Sequence, residues 1–346
     1  MKSTAKIILQ TLVRALLGAI PAFFLAWLIL LNPFEHEADF ALSDFYIRTA
    51  DRALPSSLHP DIVIVGVDGL NRMEIAHVTS LIDALGAKVV ALDVFMNDTS
   101  PYDADVLASL EICDHLVLPI SLTGADTSSI FSSLTNARYG YVNLDSAREG
   151  GTVRSFTLLR DGMQSFASIL AGKNEPVTGL IRFDGVEFDI LSPDEINGDA
   201  VRGKTVLVGN INDFSDGHTT PVGILPGVLI HAYTARTIMD GCTPRPWSTW
   251  IIFLIAFLTG TLILWQHALV SLKDGDIGNL CSRIVQIGLL FLFYLIGSSL
   301  FVRQGVYADF SLPIILSAAV LLLYDIVHGI LSLKNLWKKR NVPDHE

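Results

Sequence analysis

The sequence predicts a membrane protein: an extracytoplasmic α/β domain, its sheet mainly of the parallel type and flanked by helices, joined to four transmembrane helices. Three observations predict it. The 346 residues are 51% hydrophobic and only 17% charged, against about 25% charged in a typical soluble domain, and the mean hydropathy is +0.48. The apolar excess is concentrated in four runs that approach or reach the length needed to cross a bilayer. Between the first and second runs, residues 32–245 alternate short β-branched stretches with helical patterns, as expected of buried strands with helices packed on them.

The first run, residues 15–31, is uncharged and is extended by residues 7–13 across Arg14, whose long stem can reach the interface. Lys2, Lys6 and Arg14 would also suit a secretory signal, but the run exceeds the usual apolar core of about 7–15 residues and no A-x-A cleavage pattern follows. An uncleaved anchor is the reading. The second run, residues 246–266, carries Trp247 and Trp250 at one end and Trp265 at the other, where membrane–water interfaces favour tryptophan. The third, residues 284–302, lies between Arg283 and Arg303. The fourth is clean over residues 310–324 and continues past Asp325 and His328 to Leu333. Those two ionisable residues share one helix face, near enough to the interface to act as anchors there.

Basic residues set the expected orientation. Lys2 and Lys6 precede the first span, Lys273 and Arg283 lie around the loop between spans two and three, and Lys334, Lys338, Lys339 and Arg340 follow span four. By the positive-inside rule both termini are cytoplasmic, and the Lys338–Arg340 cluster suits anionic lipid. Residues 32–245 are then extracytoplasmic, with 14 basic and 29 acidic residues among them. The expected division is 1–31 (cytoplasmic N-terminus and span one), 32–245 (outer domain), 246–333 (three spans) and 334–346 (a short basic cytoplasmic tail). The expected location is the bacterial cytoplasmic (inner) membrane.

Within the outer domain, residues 61–67 (DIVIVGV) predict a strand buried on both faces, and residues 73–85 follow with helical periodicity. A second strand is predicted over 88–94, a helix over 104–113 and a third strand over 116–120. Residues 124–196 are irregular, and 180–190 reads as a β-hairpin turning at Asp184-Gly185. Residues 204–209 predict a further buried strand and 227–239 a last helix.

Several function classes are excluded or disfavoured. A net charge of −11 opposes nucleic-acid binding. Cys113, Cys242 and Cys281 match neither a zinc spacing nor a disulfide framework, and the nine histidines form no metal-ligand spacing. No hydrolase elbow, zinc-protease helix or activated cysteine is evident, so the expectation is no enzyme, no cofactor and no metal. Residues 198–205 (GDAVRGKT) satisfy the P-loop pattern by letter, but the strand follows the lysine instead of preceding it, the wrong order for cradling phosphate.

Asp68 and Asp93 each close an apolar strand, and in open α/β sheets ligands bind at the carboxyl ends of strands. Asp216 and His218 follow the strand ending at Gly209 and belong at the same rim. His231, on the last helix, is within reach of the Asp68 or Asp93 region. These five are the ligand-binding candidates, and each has a plainer reading as a turn brace, helix cap or packed core residue. Thr220, Pro221 and Gly227 are read as shaping the loop before the last helix. Arg154 suits either an anion or an ion pair, and the sequence does not choose between them.

Residues 61–68 (DIVIVGVD), 86–95 (GAKVVALDVF), 151–154 (GTVR), 203–209 (GKTVLVG), 216–221 (DGHTTP) and 226–232 (PGVLIHA) follow one another in a one-span, outer-domain, three-span layout. In these segments and their order the outer segment resembles the type-2 CHASE family, the extracellular sensory domains of bacterial cyclases and histidine kinases. The resemblance implies an extracytoplasmic ligand, a signal carried through the spans, and possible homodimers. Because family members usually continue into an output domain, the resemblance also implies a separate membrane or cytoplasmic effector. The alternative expectation is a structural or assembly subunit of an envelope complex.

Overall fold

The computed structural model describes residues 7–340 apart from 14, 17, 21, 24–38, 40, 123–129, 147–149, 176, 214–215 and 272–274. The chain divides into two compact units, one of residues 39–245 and the other of residues 1–38 with 246–346.

In the 39–245 unit, helix α1 (Leu42–Ala53) leads into strand β1 (Ser57–Gly66), then α2 (Arg72–Ala84), β2 (Val89–Asp93), α3 (Asp103–Glu111), β3 (Leu116–Ile120) and β4 (Arg138–Tyr141). Short strands β5 (Asp145–Ser146), β6 (Val153–Thr157), β7 (Leu159–Arg160) and β8 (Met163–Gln164) precede the one-turn helix α4 (Phe166–Leu170). The unit finishes with β9 (Thr178–Leu180), β10 (Val186–Leu191), β11 (Thr205–Gly209), the hairpin β12 (Gly217–Thr220)–β13 (Gly223–Pro226), and α5 (Gly227–Met239).

Six strands form the main sheet in the order β10-β1-β11-β2-β3-β4, and every neighbouring pair is parallel. Alternation decides which helix covers which face. Val63 and Val65 of β1, Val90 and Leu92 of β2, and Val206 and Val208 of β11 pack in one core with Ile75 and Ile82 of α2 and Val106 and Leu110 of α3. The intervening residues Ile62, Ile64, Ala91 and Leu207 are equally buried on the other side, where α5 packs on β1 and β11. Burial on both faces is what the unbroken β-branched runs predict. Asn71 starts α2 by accepting from the Met73 and Glu74 amides, while Glu74 returns a bond to the Asn71 amide, a reciprocal cap.

Residues 180–190 are not a hairpin. β9 pairs antiparallel with β6 in a small sheet, whereas β10 runs parallel to β1 at the edge of the main one. A surface hairpin would leave alternate side chains in water, but Ile181, Arg182, Phe183 and Asp184 are all buried. Arg182 and Asp184 achieve this by pairing with each other through two hydrogen bonds, and the Arg182 amide bonds Thr237 of α5 at 3.0 Å. In the P-loop-like stretch, a one-turn helix (Gly198–Val201) comes before the lysine and β11 after it, so no helix N-terminus faces a phosphate there.

The other unit contains helices α6 (Thr249–Ser271), α7 (Gly275–Gln304) and α8 (Ser311–Arg340). Among the described residues two helical stretches are long and apolar enough to cross a membrane, Thr249–Val270 and Ile277–Gln304, not the four expected. The apolar stretch described in α8 is shorter, Ser311–Ile326, and that of the first run is Ile7–Ile20; most of expected span one beyond it lies outside the described residues. Asp325 accepts from Arg283 at 3.1 Å; the side chain of His328 lies outside the described set.

Candidate functional site

The carboxyl ends of β1, β11 and β2 are in register: Gly66 is opposite Gly209 and Gly209 is opposite Asp93. Glycine at 209 has a local reason. A Cβ there would stand 3.0 Å from the Val228 side chain and 3.4 Å from the Asp93 Cβ, so its absence lets α5 approach the strand end closely. Beyond this row opens a cavity of about 450 Å³, lined by Asp93, Ser121, Asn143, Asn210, Asp213, Asp216, His218 and His231 with Val94, Phe95, Val142, Leu144, Gly227 and Val228. That volume is within the roughly 300–1,000 Å³ of small-molecule sites, and the position outside the strand ends is where open parallel sheets bind ligands.

Four of the five expected site residues meet there. Asp216 accepts from the Gly227 amide at 3.1 Å, so it neutralises the N-terminus of α5, and its other oxygen is 3.3 Å from His218 Nε2. The His218 hydrogen bond, helped by the Gly227 amide, holds Asp216 below the ordinary carboxylate range despite partial burial. Asp93 has the opposite environment: burial, reinforced by the Asp216 charge, pushes it up to about 7. His231 is 6% exposed and rests edge-on against Phe166, ring centroids 5.3 Å apart. Burial pulls its imidazole down to about 4, with Asp216 opposing. Two carboxylates with pKa values driven apart, next to a neutral buried imidazole, are typical of a site tuned for a task.

Asp68 is not among the lining residues. It accepts from the Ile211 amide at 3.1 Å and the Asn212 amide at 2.8 Å. It therefore braces the loop that carries Asn210, Asp213 and Asp216, the plainer of its two readings. Thr220 and Pro221 also shape loop structure: Thr220 bonds the Gly223 carbonyl at 2.6 Å, and the Pro221 carbonyl accepts from Arg48 of α1 at 2.6 Å. Arg154 is an ion-pair residue. Its guanidinium bonds Asp44 at 2.6 and 2.8 Å and Asp39 at 2.6 Å, tying the first residues of the unit to β6. Burial works to raise the Asp39 carboxyl, but hydrogen bonds from Thr152 and Arg154 outweigh it and hold it at about 2.

Ser121, Asn143, Asn210 and Asp213 were missed from the sequence. Ser121 directly follows β3 and Asn210 directly follows β11, so the strand-end rule that selects Asp93 also selects them. Asn143 gave no such signal, because β4 (RYGY) is too short to announce itself in the irregular middle. Among the described residues no group of three or more His, Cys, Asp or Glu side chains is arranged to hold a metal ion.

Neither the curated proteins nor the solved structures give a match to the chain. The family model for the CHASE2 domain matches residues 21–265, which spans the main sheet, the cavity and most of α6. With well over half of its length matched, the chain belongs to the CHASE2 family, a type-2 CHASE family of extracellular sensory domains.

Proposed function

We propose that the chain is a non-enzymatic sensor of the bacterial cytoplasmic membrane. In this reading it crosses four times with both termini inside, its 39–245 unit takes a ligand in the strand-end cavity, and the spans pass the signal to an effector protein. The observation that carries the reading is the convergence of Asp93, Asp216, His218 and His231 on one cavity at the carboxyl ends of parallel strands, in a family of sensory domains. Membrane insertion is supported by apolar stripes: Trp250, Leu254, Leu258 and Leu262 of α6 are each more than half exposed, as are Ile277, Leu280, Ile284 and Ile287 of α7. Stripes of that length are costly in water and favourable in lipid.

Asp216, at the cavity, caps α5, and α5 is followed in sequence by residues 240–248 and then α6. Pro244 and Pro246 interrupt that link, making it a short stiff joint in place of a continuous helix. A ligand moves such an element only through its differential affinity for two arrangements.

The test uses the full chain in lipid nanodiscs and fractions of a bacterial metabolite extract, read by thermal denaturation. A ligand at a hundred times its Kd stabilises by about 2.7 kcal/mol, so an active fraction raises the melting temperature of the wild type by several degrees. The same fraction leaves Asp216→Ala and His231→Phe unmoved. A fraction that stabilises wild type and both variants equally contradicts the cavity as the site, and so does the absence of any active fraction.

A further inference from the structure

We infer that the occupant of this cavity is a small organic cation carrying a primary ammonium group, such as a diamine, amino alcohol or amino sugar. The inference rests on the sensory reading above and adds the ligand's chemistry. Asp93, Asp213 and Asp216 all line the cavity, and no lysine or arginine does among the described residues. Carboxylates in a concave, partly desolvated site concentrate cations and repel anions. Two features could favour an anion, the N-terminus of α5 and the His218 ring, and Asp216 answers both: it accepts from the Gly227 amide at 3.1 Å and stands 3.3 Å from His218 Nε2.

The second, independent observation is His231. It is 94% buried by the converse of its 6% exposure, it lines the cavity, and its ring contact with Phe166 is through the ring edge. Its nitrogens make no hydrogen bond among the described residues, and they are not among the fully enclosed unpaired atoms, so they keep exposure and stay available to an occupant of the cavity. A neutral imidazole offers one acceptor nitrogen, which suits an N–H of the ligand and adds no competing charge. The side-chain amides of Asn143 and Asn210 line the same space and can bond hydroxyl or second amine groups. A divalent metal fits less well, since the acidic and imidazole groups are not clustered as ligands, whereas an ammonium needs only a few acceptors at hydrogen-bond distance.

The same geometry gives the binding a pH dependence. Asp93 shares the cavity lining with Asp213, with Asp216 and His218 of the β11–α5 connection, and with His231 of α5, and it feels the charges of Asp216 and His218. A carboxyl raised to about 7 is protonated below that value and charged above it. Its ionised fraction therefore climbs from about a tenth at pH 6 to about nine tenths at pH 8, while an alkylammonium such as that of 1,4-diaminobutane stays charged; an amino-sugar amine loses charge over the same range, so the pH test is read on the alkylamine. Asp216, held low, is ionised throughout, and His231, at about 4, is neutral throughout. Amine binding should tighten by up to about 10-fold over this range. His218 lines the same cavity, so variants separate its contribution from that of Asp93.

The experiment uses the full chain in nanodiscs, with thermal shift and calorimetry. The matched probes are 1,4-diaminobutane against 1,4-butanediol, glucosamine against glucose, succinate as an anion, and magnesium or calcium chloride. The stabilising extract fraction is also passed over cation- and anion-exchange resins and treated with acetic anhydride. The expected result is stabilisation by an amine but not by its neutral twin, or an extract activity that is held by the cation exchanger and destroyed by acylation. For an alkylamine the affinity rises about 10-fold from pH 6 to 8. Asp93→Asn flattens that rise to under about 2-fold, and His218→Gln leaves it in place. An activity that is neutral or anionic, or stabilisation by the divalent salts with all amines silent, overturns the amine class and leaves the cavity reading standing. A pH step that survives in Asp93→Asn and disappears in His218→Gln overturns the role given to Asp93. Silence of all probes and all fractions overturns both this inference and the sensory reading.

Discussion

Replacing Arg154 with alanine should destabilise the 39–245 unit by about 3–5 kcal/mol, the cost of removing one partner from a buried ion pair. Arg154, Asp39 and Asp44 have side chains only 12–13% exposed, so the variant leaves two carboxylates in a poorly solvated place with no cation. Denaturation of the full chain measures the loss. Arg154→Lys should recover part of it, since one ammonium replaces the charge but not the two-pronged grip on Asp44. The cluster also predicts acid sensitivity. A carboxyl lowered in the folded state contributes stability that is complete above its unfolded pKa near 4 and is lost as pH falls toward the folded value. With Asp39 at about 2, the wild type should lose stability between about pH 4 and pH 2, and Asp39→Asn should lose less in that window. An Arg154→Ala variant within about 0.5 kcal/mol of wild type would contradict this view of the cluster.

Gly140→Ala should cost about 3 kcal/mol, toward the upper end of the range for overpacking. A Cβ at this position in β4 would lie 2.6 Å from the Phe166 Cα and 2.8 Å from the Phe166 nitrogen. Those are backbone atoms, so no side-chain rotation relieves the clash and α4 must move. Phe166 is the ring against which His231 rests, so the displacement reaches the cavity. The variant should show both a lowered melting temperature and weaker stabilisation by any ligand that stabilises the wild type. Unchanged stability would mean that β4 and α4 can separate more freely than their packing indicates.

What the sequence made legible follows from how local each determinant is. The strand over Leu116–Ile120 and the helix over Gly227–Met239 have the bounds that the apolar pattern predicts, because a strand buried on both faces needs nothing beyond its own residues. The strand-end rule found Asp93, Asp216 and His218 for a similar reason: the end of each apolar run is visible. Asp68 satisfies the same rule and yet turns to the amides of Ile211 and Asn212, a contact between distant segments that no local pattern reports. Arg154 was undecidable for that reason too, its partners lying more than a hundred residues earlier. The hairpin expected from the Asp184-Gly185 turn is absent because the two halves pair with different strands, β9 with β6 and β10 with β1, while Arg182 and Asp184 satisfy each other inside. Of the four apolar runs, two give described helices long and apolar enough for a crossing, while much of the first run and part of the fourth lie outside the described residues.

The central claim, that ligand seats at the carboxyl ends of the parallel strands, is tested most directly by amide hydrogen exchange on the full chain in nanodiscs, with and without the stabilising extract fraction. The account predicts slower exchange at residues 93–95, 142–144 and 210–213 and in the first turn of α5. Protection confined to the opposite ends of the strands, around residues 87–89, 114–116 and 203–205, would contradict it.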